Sequence, residues 1–173
     1  MSKISISTFL LLLSLAVYAQ KIPTIRYEID MTQNTDTFMI ELNYKGKLTE
    51  KNSVFQFAST APGTYQTMNI GRLVSDFNAF DKKGNKLSVK QISINQYEIS
   101  EIKKVKTISY KVAETFDTAL PEYPIYPMAG SSLEEDHALI NAHTMLGCFH
   151  GLQKSPLQIS LKKRKGWEIG TAL

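Results

Sequence analysis

From Thr24 onward, apolar and polar residues alternate with a period of two, the repeat of a strand with one buried face. Ile25, Tyr27, Ile29 and Met31 share one face of a first strand. After the turn residues Gln33-Asn34-Thr35-Asp36, Phe38, Ile40, Leu42 and Tyr44 line a second, and the two read as a hairpin. Val54-Phe55-Gln56-Phe57 is a short third strand that leads into a rigid corner at Pro62-Gly63, with Tyr65 just beyond it. Residues 73–80, 87–92, 96–99 and 105–113 read as further strands, and Asp81-Lys82-Lys83-Gly84-Asn85 is a strong turn signal among them. Turn signals recur roughly every 8–12 residues, and no long segment has helical periodicity. The pattern predicts an all-β, sandwich-like antiparallel domain.

Residues 114–135 break the alternation. Pro121, Pro124 and Pro127 stand there with Tyr123 and Tyr126 among them, which predicts an ordered surface loop held by its tyrosines and Ile125. Residues 137–146 resume as two short strands or one bent strand. Leu157, Ile159 and Leu161 mark the last strand, before Gly166-Trp167-Glu168-Ile169.

The first 19 residues follow another rule. Lys3 precedes an apolar run from Phe9 to Val17, and Val17-Tyr18-Ala19 supplies the small residue that a signal peptidase requires. This predicts a signal peptide over 1–19, a mature domain over 20–173, and export to the periplasm or beyond. No other stretch approaches the roughly 20 apolar residues of a membrane span. The net charge of +4 is mild. Its clusters, Lys82-Lys83, Lys103-Lys104-Lys106 and Lys162-Lys163-Arg164-Lys165, fall at expected turns without interleaved aromatics, so no nucleic-acid surface is expected. One cysteine, Cys148, leaves no internal disulfide, and stability must come from the core.

Candidate chemistry is sparse. His137, His143 and His150 are spaced by six and seven residues, neither the i, i+4 pair of a helical zinc site nor a paired structural set. A folded-back hairpin would still bring His143 and His150 together. Cys148 reads as a small packing residue, with nothing local to lower its thiol pKa. Glu134-Glu135-Asp136 reads as a solvated loop end, and no nucleophile elbow or phosphate cradle is present.

Four blocks, in order, resemble the amino-terminal domain of the glycyl-aminopeptidase-type zinc metallopeptidases (metallopeptidase family 61). They are Ile25-Arg26-Tyr27-Glu28-Ile29; the run from Pro62-Gly63-Thr64-Tyr65 through Arg72, Asp76-Phe77-Asn78-Ala79 and Gly84; His137-Ala138-Leu139-Ile140-Asn141-Ala142; and Gly166-Trp167-Glu168-Ile169-Gly170-Thr171-Ala172-Leu173. Ala142 stands where that family often has Gly. The resemblance implies a β domain preceding, in cis, a thermolysin-like domain that holds zinc through H-E-x-x-H and a downstream glutamate, and removes small N-terminal residues from peptide substrates. No H-E-x-x-H occurs in this sequence. The chain therefore reads as a non-catalytic domain, incomplete at its C-terminal end, with no metal ligand and no catalytic residue of its own. The resemblance also implies that the domain walls one side of the catalytic cleft, with Tyr65 as the substrate-facing candidate. The competing reading is a stand-alone periplasmic β-sandwich that binds carbohydrate or peptide through Tyr123 and Tyr126.

Overall fold

The computed structural model describes residues 24–171 except 34, 35, 118 and 121. The expected signal peptide lies outside the described residues. Strands β1 (Thr24–Asp30) and β2 (Thr37–Lys45) pair antiparallel, and their alternating inward residues are buried as the period-two pattern predicts. Ten more strands follow: β3 (Val54–Gln56), β4 (Val74–Phe80), β5 (Lys86–Leu87), β6 (Val89–Ser93), β7 (Gln96–Ile99), β8 (Thr107–Ala113), β9 (Ser132–Leu133), β10 (Ala138–Leu139), β11 (Cys148–Phe149) and β12 (Leu157–Lys162). They form a six-stranded sheet in the order β12-β1-β2-β8-β4-β5, a four-stranded sheet in the order β11-β3-β7-β6, and the small hairpin β9–β10. The described residues contain only short 3₁₀ turns as helices, and none is long and apolar enough to cross a membrane.

The expected strand at 87–92 is in fact two. β5 closes the large sheet against β4 and β6 belongs to the smaller one, so the chain changes sheets at Ser88, whose carbonyl accepts from the Ser100 N–H (3.1 Å).

Aromatic rings join the two sheets. Phe57 meets Tyr110 edge-on at 5.1 Å, Phe149 meets Tyr44 at 5.9 Å, and Phe77 stacks on Tyr97 at 4.2 Å. Phe77 reaches that stack because of a bulge. In β4 the register slips between Ser75 and Asn78 against β8, and Asp76 adopts a left-handed φ of 51°. Strict alternation would turn Asp76 inward. The extra residue instead leaves Asp76 in solvent, 2.7 Å from the Lys111 ammonium, and swings Phe77 onto the aromatic cluster.

β12 lies parallel to β1, with Tyr27 opposite Ile159 and Ile29 opposite Leu161. Tyr27 and Ile29 are buried, whereas Ile159 and Leu161 are only half-buried. The core layer thus runs out to the sheet edge without a full cover. Asp30 and Lys162 tie β12 to β1 at 2.6 Å. Burial raises the Asp30 carboxyl pKa, but hydrogen bonds from Lys162 and Thr32 outweigh it and hold the group below its ordinary value.

Candidate functional site

The Pro-Gly corner is built by local hydrogen bonds. Gly63 takes φ +81°, a conformation that other residues resist, and the Thr64 N–H and hydroxyl both donate to the Ala61 carbonyl (3.2 and 2.7 Å). The Thr60 hydroxyl donates across the loop to the Gln66 carbonyl (2.9 Å). At its far end the chain is fixed by Met68 and Asn69 N–H groups donating to the Ser59 carbonyl. It then enters the 3₁₀ turn Ile70–Leu73, where the Gly71 N–H donates to the Asn95 side chain at 2.9 Å.

The proline- and tyrosine-containing loop packs on this corner. The Gln66 amide makes two hydrogen bonds to it, donating to the Pro124 carbonyl and accepting from the Tyr126 N–H, both at 2.8 Å. The Arg72 guanidinium lies 4.1 Å over the Tyr123 ring and donates to the Tyr123 carbonyl, while the Tyr123 hydroxyl donates to Thr67. Ile125 is buried beneath, so the loop is held by its tyrosine and isoleucine side chains as its composition predicts. Tyr123 thus has one ring face under Arg72 and its hydroxyl bonded to Thr67, and the ring remains half-buried.

Tyr65 stands 99% exposed on the clamped corner. Tyr126 and Met128 (74% exposed) follow in the loop that Gln66 holds against it. The corner thus presents an exposed aromatic ring with a polar tip.

The histidines do not converge. His143 shares its Nε2 hydrogen bond with the Thr60 carbonyl (2.9 Å), His150 pairs through Nε2 with the Gln56 side chain, and His137 is beside Asp136 (2.6 Å). Among the described residues, the one group close enough to share an ion is Glu114, Asp117 and Glu134, whose carboxylates lie within 4.8 Å of one another. These are hard oxygen donors with no imidazole, so they do not fit the histidine-rich donor set of a catalytic zinc. Their arrangement has a structural cause: buried Glu114 accepts from the N–H groups of Phe116 (2.9 Å) and Asp117 (3.1 Å). Glu134, expected in solvent, is half-buried beside them. Hydrogen bonding to Glu114 and its charge raise the Asp117 carboxyl pKa. A raised acid pKa in the folded state favours folding at low pH, and that contribution fades as pH rises through the folded value. Asp117→Asn is therefore expected to increase stability to urea at neutral pH, with the gap closing as pH falls through the carboxylate range. Burial raises the Cys148 thiol pKa, consistent with a packing residue rather than a nucleophile.

Residues 26–173 match the model of the peptidase M61 N-terminal domain. The chain belongs to that family. The fold of this M61 domain is also similar to a crystal structure of an aminopeptidase N family protein from Idiomarina loihiensis, at TM-score 0.64 and 20% identity over 79% of this chain. The M61 domain spans 22% of that protein's length. No curated protein matches the sequence. The Gln66 and Arg72 clamp was not anticipated as such. Its only sequence signal was Arg72 within the matched Pro-Gly block, because the partners lie more than 50 residues away.

Proposed function

We propose that this M61 N-terminal domain is the non-catalytic β domain of an exported zinc aminopeptidase that removes small N-terminal residues. Its part is to border the cleft of a thermolysin-like domain following it in cis, where zinc, held by H-E-x-x-H and a glutamate, would supply the activated water. The observation that carries the reading is the clamped corner, which presents Tyr65 on a loop fixed from two sides, in a family domain whose described residues assemble no histidine-based zinc donor set. Fixing the backbone in advance lowers the entropic cost of holding a peptide terminus in place.

Two measurements test it. The gene should continue past Leu173 into an H-E-x-x-H helix, and a stop codon there would contradict the reading. In the full-length peptidase, Tyr65→Ala should leave the melting temperature unchanged, since the ring contributes no burial. It should raise KM for peptides about three- to tenfold with little change in kcat. An unchanged KM would remove Tyr65 from the cleft.

A further inference from the structure

An open groove of about 700 Å³ lies at the edge of the large sheet. Its apolar lining includes Met31, Leu139, Ile140, Ile159, Leu161 and Trp167. Four parts of the chain form it: Met31 just past β1, the core-facing side of β12, the β9–β10 hairpin region, and the segment from Gly166 to Thr171. Arg164 braces the last two, donating to the carbonyls of Glu134 (3.1 Å) and Glu135 (2.8 Å) with its guanidinium 5.6 Å from the Trp167 ring. Leu139 and Ile169 are more than half exposed there.

The sheet edge beside the groove is unusual. An exposed strand edge invites pairing, and natural edges are blunted by shortness, charge or bulges. β5 and β11 have two residues each, and β6 carries Lys90 and a register shift. β12 runs six residues in regular register with β1, and only its last residue, Lys162, is charged. A long uncharged edge beside an apolar groove fits an added strand, whose backbone would pair with β12 while alternate apolar side chains fill the groove.

We infer that this groove and the outer edge of β12, which no strand among the described residues pairs, receive an extended apolar segment of the polypeptide that follows this domain in M61 peptidases, joining the domain to the rest of the enzyme. The inference rests on the proposed function. The choice of occupant follows from two observations. The segment 166–171 already runs along the groove, so a continuing chain would be delivered there. In the structurally similar aminopeptidase N family protein, more than three-quarters of the chain lies outside the matched fold.

The test has two arms. In the 173-residue chain, the dye 1-anilinonaphthalene-8-sulfonate should bind beside Trp167, the sole tryptophan, and quench its emission by energy transfer. Ile159→Lys should abolish that transfer while circular dichroism still reports the folded sheet. No transfer, or transfer unaffected by the lysine, would overturn the groove as an open apolar site. In the full-length peptidase, hydrogen exchange of the β12 peptide should slow about tenfold or more relative to the 173-residue chain. An active zinc peptidase whose β12 exchanges as fast as in the short chain would overturn the inference while leaving the proposed function standing. A gene without a catalytic domain would remove both.

Discussion

Gly71→Ala is expected to lower the melting temperature by about 10 °C, the consequence of a loss of about 3 kcal/mol in a domain of this size. A methyl group at this position would stand 2.8 Å from the Asn95 Cα and closer still to the Ile94 carbonyl oxygen. Both are backbone atoms, so no side-chain rotation relieves the clash. The place is also a junction: Gly71 donates to the Asn95 side chain, which donates in turn to Asn69 (3.0 Å), and the Asn95 carbonyl accepts from Phe57 (2.9 Å). Asn69 holds a left-handed φ of 49° to enter the turn. Forcing the 3₁₀ turn away from the β6–β7 turn would break both side-chain bonds and leave the buried Asn95 amide without those partners. Thermal unfolding followed by circular dichroism checks it. A change of less than 2 °C would mean that the approach is looser than described.

Phe55→Ala is expected to cost about 4 kcal/mol, the usual range for emptying an aromatic site in a packed core. Phe55 is fully buried, with ring centroids of Phe149 at 5.1 Å, Phe77 at 5.4 Å and Phe57 at 5.5 Å. Its ring also packs on Gly147, where an added methyl would meet Phe55 and then Gln56 O and Phe57 Cε1 at 3.0 Å. Gly147 is held by two buried phenols: Tyr27 donates to its carbonyl, and Tyr110, donating to Met145 (3.0 Å), accepts from its N–H (3.4 Å). Burial raises both phenol pKa values far above the ordinary tyrosine value, so both remain protonated donors. Gly147→Ala alone should be strongly destabilising, yet cost less when added to Phe55→Ala, since the nearest obstructing atom is then gone. Equal costs in both backgrounds, measured by urea denaturation, would show that the rings and the glycine do not share one packing site.

Period-two alternation made β1, β2 and β8 readable because each buries one face only, and a one-residue slip would expose it. Alternation says nothing about strand direction, so the parallel pairing of β12 with β1 was not legible, nor was the half-covered state of Ile159 and Leu161. The bulge at Asp76 was hidden because a non-glycine residue in left-handed backbone leaves no compositional mark. Ser88 does not advertise a change of sheet, which is why β5 and β6 read as one strand. At the corner, Pro62 and Gly63 announced the turn. Whether Tyr65 would pack against it or project depended on Gln66, Arg72 and a loop some 60 residues distant, and such long-range contacts cannot be read from local pattern.

The most direct test of the account is an assay of the homogeneous 173-residue protein on glycyl and alanyl anilides with zinc added. The account predicts no turnover above the protein-free rate. Zinc-dependent hydrolysis that co-purifies with the folded chain would contradict it, because a reacting centre would then have to lie within these strands.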